Sequence, residues 1–125
     1  MTVTGTIAER YGEAVDRGDD EALRALHAPD ARVWHNTDGV EQTVEENLKV
    51  GAWLRRMAPD LAFSDVRVTA TADGFVRRHR MSGTGPGGPF DLPSCLVVTV
   101  ADDRITRVEE YLDSAALAAL TAKAG

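Results

Sequence analysis

A chain of 125 residues with 43% hydrophobic and 27% charged side chains is long enough to fold as one domain around a buried core. Its formal net charge of -6 argues against a nucleic-acid partner, whose phosphates call for a basic surface. Cys95 is the one cysteine, so an internal disulfide and a zinc-type Cys/His spacing are both excluded. No apolar run approaches the roughly 20 residues that cross a bilayer, and MTVTGTIAER lacks the basic start and apolar middle of an export signal. These features lead to the expectation of a cytoplasmic protein without membrane contact that needs neither metal nor cofactor.

Met1 to Val3 reads as a loose end. Ile7, Tyr11, Ala14 and Val15 then fall on one face of a helix, and Gly18 is a natural stop after Arg17. Asp19 and Asp20 can cap a second short helix that buries Leu23 and Leu26. Ala28-Pro29-Asp30 is expected to end it, with a strand from Ala31 to His35 and a turn at Asn36 to Gly39. Thr43 and Glu46 fit a capping box, which predicts a third helix from Val44 to about Met57. Leu48, Ala52, Trp53 and Met57 would form its inner face.

After Pro59-Asp60 the period changes from helix to strand. Leu61, Phe63, Val66, Val68 and Ala70 predict a strand whose face shifts near Ser64-Asp65, as a bulge would cause. Ala72-Asp73-Gly74 turns into a strand from Phe75 to Gly83. Gly85 to Pro89 reads as a loop, Phe90 to Val100 as a strand interrupted by Pro93, and Arg104 to Leu112 as the last strand. Asp113 or Ser114 would cap a short tail helix, SAALAALTAKA. Three helices followed by antiparallel strands define an α+β domain with helices against one face of a curved sheet. Between Cys95 and Val100 both alternating sets are apolar, so each face of that strand needs a cover and a homodimer is expected.

Several side chains in this frame can carry chemistry. His35 closes a strand and titrates near neutral pH. Phe75, Arg77, His79 and Met81 form the larger alternating set of their strand and are expected to face inward. A buried cation and histidine need partners, and Glu110, expected on the adjacent final strand, can supply one. His27, beside Ala28-Pro29, is expected at the surface, as are Arg78 and Arg80. Trp34 and Trp53 read as core or pocket wall.

Three segments carry a family resemblance: R-Y-x-x-A-x-x-x-G-D at Arg10 to Asp19, A-P-D-A-R-V at Ala28 to Val33, and D-R-I-T-R-V-E-E-Y-L-D at Asp103 to Asp113. On them the chain resembles the nuclear-transport-factor-2-like superfamily, in its SnoaL-like and ketosteroid-isomerase-like branch, over nearly its whole length. The resemblance implies a cone-shaped curved antiparallel sheet with three N-terminal helices enclosing an apolar cavity that serves as the site. It places Tyr11 where isomerases of this type hold an oxyanion-donating tyrosine. His35 falls where they hold an aspartate base, and Cys95 where they hold a second oxyanion acid. Against limonene-epoxide-hydrolase-like members, with their Asp-Arg-Asp set, it aligns Arg77, His79 and Glu110. Against scytalone-dehydratase-like members it aligns Asp16 with a helix carboxylate, while their histidine has no counterpart at Leu61 to Phe63.

The implied function is cofactor-independent acid/base catalysis on a small apolar oxygenated molecule, by isomerase-, dehydratase- or cyclase-type proton transfer. His35 would be the base, with Asp16 or His79 and Glu110 assisting, and Tyr11 and Arg77 stabilising negative charge. Trp34, Trp53, Phe63, Met81 and Cys95 would line the substrate. Epoxide hydrolysis, and ligand binding without catalysis, are the alternatives.

Overall fold

The computed structural model describes residues 3–121; Met1 and Thr2, and the end of the expected tail helix at 122–125, lie outside the described residues. Helix α1 runs Val3–Arg17 and α2 runs Asp20–Leu26. Gly18 joins them at a φ of 65°, the left-handed conformation that glycine adopts at little cost. Asp19 caps α2 by accepting from the Ala22 amide at 3.0 Å. Strand β1 (His27–His35) follows without a loop, and a three-residue strand β2 (Glu41–Thr43) precedes α3 (Val44–Met57). The α3 cap is a full capping box: the Glu46 amide donates to Thr43 Oγ1 at 3.2 Å and the Thr43 amide donates to Glu46 Oε1 at 2.9 Å.

Strands β3 (Ala62–Thr71), β4 (Gly74–Gly85), β5 (Gly88–Ala101) and β6 (Arg104–Leu112) complete a six-stranded sheet in the order β2-β1-β6-β5-β4-β3. The sheet is curved and unclosed. Its pairings are antiparallel except for β1 with β6, which run parallel. The expected shift of face in β3 is present as a register break between Ser64 and Arg67, with Asp65 at a φ of 51°. Asp113 caps a 3-10 turn (Ser114–Leu117) that leads into α4 (Ala118–Thr121).

Three details depart from the expected elements. β1 begins at His27, ahead of Pro29, because its register with β6 slips between His27 and Arg32 and leaves Pro29 outside the ladder. β5 runs through Pro93 unbroken, since β6 ends opposite Ser94 and asks no ladder bond of Pro93 on that side. β6 is not the neighbour of β4; β5 lies between them, so Glu110 is two strands away from His79.

The inner face of the sheet carries two apolar clusters. One packs Ile7 and Tyr11 of α1 against Phe75, Leu96, Val98 and Val108. The other packs Met81, Phe90 and Leu92 against Trp53, Met57 and Leu120. The cavity between sheet and helices takes its walls from both.

Candidate active site

The cavity has a volume of about 290 Å³, near the lower end of the range for sites that take small organic molecules. Tyr11, Leu23, Trp53, Phe63, Met81 and Leu96 contribute walls, and so does Leu117 of the tail. All three histidines, His27, His35 and His79, line it together with Glu110. An apolar chamber with a few converging titratable groups is the usual form of a small-molecule site.

His35 and Glu110 are brought together by the parallel pairing of β1 and β6, where they are register partners. Asn36 locks that end of the ladder. Its amide donates to the Glu110 carbonyl at 3.0 Å, and its side chain exchanges two hydrogen bonds with the Leu112 backbone. His35 Nε2 lies 3.0 Å from Glu110 Oε1, and Ser94 Oγ donates to Glu110 Oε2 at 2.8 Å. The bond to Glu110 raises the His35 pKa above its ordinary value, and it outweighs the opposing effect of burial. Burial likewise opposes ionisation of Glu110. The hydrogen bond and charge of His35, with the Ser94 hydroxyl, overcome it and hold the carboxyl below the usual range. An Nε2–H directed at a carboxylate leaves the Nδ1 lone pair of neutral His35 as the proton-accepting atom.

Arg77 and His79 lie on the inward face of β4, 3% and 4% exposed. Arg77 Nε donates to His79 Nδ1 at 3.0 Å. Burial, aided by the Arg77 charge, lowers the His79 pKa to about 4. The Phe63 ring lies against the imidazole at a centroid distance of 4.9 Å. Arg77 does not bridge to Glu110; the carboxylate nearest its guanidinium is Asp16, 3.9 Å from Nη2. Tyr11 is buried between Phe75 and His27, with ring centroids 6.0 and 6.4 Å away. Burial, and secondarily Glu110, push its phenol well above the ordinary range, so it stays protonated.

Of the residues singled out in the sequence, Tyr11, His35, His79, Glu110, Trp53, Phe63 and Met81 share the cavity wall. Asp16 does not: it is 58% exposed and reaches the interior only through Arg77. Arg77 sits behind His79, off the cavity wall. Trp34 and Cys95 belong to the opposite face of the sheet. Trp34 packs edge-on against Tyr111 at 5.3 Å, and Cys95 pairs in register with Arg78 and Tyr111. The strand alternation that turns Leu96 inward turns Cys95 outward. His27 is corrected in the other direction. It is 7% exposed, and its Nδ1 lies 2.6 Å from the Leu23 carbonyl. Burial lowers its pKa against the effect of that bond. Ser94 was not anticipated; its signal was a lone hydroxyl in the inward series Leu92, Ser94, Leu96, Val98. Among the described residues no group of three His, Cys, Asp or Glu is placed to hold a metal ion.

A cone of sheet closed by helices over an apolar cavity is the architecture of NTF2-like proteins. An NTF2-like protein from Burkholderia thailandensis superposes with a TM-score of 0.83 at 21% identity, covering 94% of this chain and 96% of that one. The SnoaL-like domain model matches residues 8–108, and the chain belongs to that family. A loop-truncation variant of IdmH is 26% identical, with a TM-score of 0.79 over 94% of this chain and 98% of that one. Wild-type IdmH is described as a candidate polyketide cyclase from Streptomyces antibioticus. A SnoaL-like protein from Jannaschia, described in the same terms, has a TM-score of 0.79 at 21% identity, covering 98% of this chain and 96% of that one. Among curated proteins none matches in sequence. No helix among the described residues is long and apolar enough to cross a membrane.

Proposed function

We propose that this chain is a cofactor-independent acid/base enzyme, of cyclase or isomerase type, that moves a proton next to a carbonyl group. Its substrate is a small, largely apolar, oxygenated molecule held in the cavity. The observation that carries the reading is the His35–Glu110 pair on the cavity wall. Glu110 holds the imidazole by Nε2, leaves Nδ1 free to accept, and raises its basicity. The polyketide-cyclase description of IdmH supports it.

In the step itself Nδ1 of His35 takes the proton from carbon, and the electron pair of the broken C–H bond moves through the carbonyl to give an enolate. A conjugated enolate then takes the proton back from His35 at a different carbon, which is isomerisation, or the enolate carbon attacks a second carbonyl whose oxygen takes that proton, which is ring closure. Tyr11, protonated and buried, serves as a neutral hydrogen-bond donor nearby. Epoxide opening is the weaker reading, because Arg77 occupies His79 Nδ1 and no bond joins His79 to Glu110. A homodimer formed through the outer sheet face is part of the same proposal.

Exchange of α-protons of small cyclic ketones in deuterated buffer, followed by NMR, tests it. His35→Ala is expected to slow exchange by about 10²- to 10⁴-fold, the usual worth of a positioned base. Since the His35 pKa is raised above about 6.5, activity should rise with pH through a midpoint above that value. Glu110→Gln should move the midpoint down. Ligand-induced shifts without exchange in any ketone would make the chain a binder.

A further inference from the structure

Arg77 and His79 share a face of β4, two residues apart, and their bond has only one direction. A guanidinium carries donors and no acceptor, and it stays charged throughout the working pH range. His79 Nδ1 must therefore accept from Arg77 Nε. The single proton of the neutral ring then sits on Nε2. That Nε2 is buried without a hydrogen-bond partner, on a side chain that lines the cavity. An orphaned N–H on a side chain that lines a chamber calls for an acceptor the protein itself does not provide, and a ligand settling against the ring can supply it.

The guanidinium is confined by its neighbours, although its Nη2, like His79 Nε2, is buried without a hydrogen-bond partner. It lies under α1 where the sequence has Gly12; a Cβ at that position would stand 2.7 Å from Arg77 Nη1. Asp16, one helical turn on, approaches Nη2 at 3.9 Å. The charged, titratable and ring groups facing His79 are Arg77 on its own strand, Glu110 on β6, Asp16 on α1 and the Phe63 ring on β3, with Ser94 its register partner on β5. The net effect of these surroundings is to keep the imidazole neutral.

We propose that Arg77 is a positioning residue that fixes His79 as a permanent Nε2–H donor into the cavity. The ligand this donor fits is an oxygen that gains negative charge there: the carbonyl of an enolisable ketone, or a phenol that binds as phenolate. This rests on the cavity being the active site, and it divides the labour between two histidines. His35 accepts the proton and His79 holds the oxygen. A histidine kept neutral so that it can donate is a known way to polarise a carbonyl.

Long-range proton–nitrogen NMR of the full chain reads the tautomer of each histidine without any substrate. His79 is expected to be the Nε2–H tautomer from about pH 5 to 8, the range in which ordinary histidines titrate. Arg77→Lys keeps the charge but loses the Nε–H, and should release the ring to a mixture of tautomers. Para-nitrophenol then probes the donor by its absorbance. Its pKa should fall by about one unit on binding, a tenfold preference for phenolate. That preference should vanish in His79→Phe, survive in part in His79→Gln, whose amide still donates, and weaken in Arg77→Lys. If Arg77 variants fail to fold, Gly12→Ala displaces the guanidinium from the far side and should move the same His79 signals.

An Nδ1–H tautomer in the wild type overturns the proposal. So does a tautomer and phenolate preference unchanged in Arg77→Lys and Gly12→Ala, or phenol addition that leaves His79 unmoved. A wild type with the expected tautomer and phenolate preference that exchanges no ketone proton supports the donor and refutes the enzyme reading alone.

Discussion

Two histidines in one chamber are driven apart by their partners, and pH should reveal it. For His35 the folded-state pKa is raised, so its stabilising contribution is complete below about pH 6.5 and is lost as pH rises through the folded value. For Glu110 the folded value is lowered, so its contribution is present above about pH 4.5 and is lost as pH falls through the folded value. The pair is therefore worth most between those limits. His79 has the opposite sign to His35. With its pKa lowered to about 4 from an ordinary 6.5, its contribution is present above 6.5 and disappears on acidification towards 4. Complete protonation of so buried a ring corresponds to about 3 kcal/mol. His79→Gln should remove that acid-side loss, so urea titrations at successive pH values should show the wild type weakening relative to the variant between about pH 6.5 and 4. His27 also weakens the fold on acidification, equally in both proteins, and cancels from the difference. Strand alternation had already placed Arg77 and His79 indoors. It could not show that Arg77 would bond His79 rather than Glu110, because that depends on strand order. His27 was misjudged for a local reason: Ala28-Pro29 reads as a helix end in solvent, while the structure makes it the irregular start of β1, in which Pro29 is exposed but His27, Ala31 and Val33 are buried.

At the scale of elements, the sheet positions the site through a few close approaches. Gly74 opens β4 directly after the two-residue turn at Ala72-Asp73, where the Val100 amide donates to the Asp73 carbonyl at 2.8 Å. A Cβ at Gly74 would stand 1.8 Å from the Val98 carbonyl oxygen, which is backbone of a neighbouring strand and cannot swing away. Gly74→Ala should therefore cost about 2 kcal/mol or more, at the upper end for overpacking, and thermal denaturation would register it. Because β4 carries Arg77 and His79, the same change should disturb the His79 resonances. Caps and turns were the most legible features: the Thr43–Glu46 box and the Gly18 stop depend on chemistry within a few residues. Strand β2 was missed because three residues with one inward side chain carry no periodicity. The parallel pairing of β1 with β6, which creates the His35–Glu110 contact, joins segments too far apart in the chain for any local pattern to announce.

At the scale of the whole molecule, one face of the sheet carries no second layer among the described residues. On that outer face Val76, Val97, Glu109 and Trp34 lie in one row across four strands, and Arg78, Cys95 and Tyr111 in the next. The described helices pack on the other face, so the apolar middle of these rows is left without a cover among the described residues. The charges flanking it are mixed on the β6–β1–β2 side, where Arg32 and Arg107 are register partners beside Glu109 and Glu41. Arg67 and Arg78 sit opposite each other on β3 and β4, an unfavourable like-charge pair. Glu109 and Glu41 lie towards the β6–β1–β2 side, and Arg107 already engages both. A two-fold axis through Val97 and Cys95 would bury Val76, Tyr111 and Trp34 of both copies and bring Arg67 and Arg78 of one over Glu109 and Glu41 of the other, which Arg107 already pairs within its own chain. A second copy of this chain is therefore the expected occupant, and light scattering on a size-exclusion column should give twice the mass of the 125-residue chain. Val97→Glu places a charge at the centre of the face without touching the cavity, and is expected to shift the equilibrium to monomer with the His35 and His79 signals retained. Added salt should weaken the wild-type dimer modestly, because the charged rim is screened while the apolar centre is not. A wild type that elutes as a monomer at tens of micromolar, with Tyr111 fluorescence unchanged on dilution, would leave the outer face open to solvent and remove the dimer from the reading.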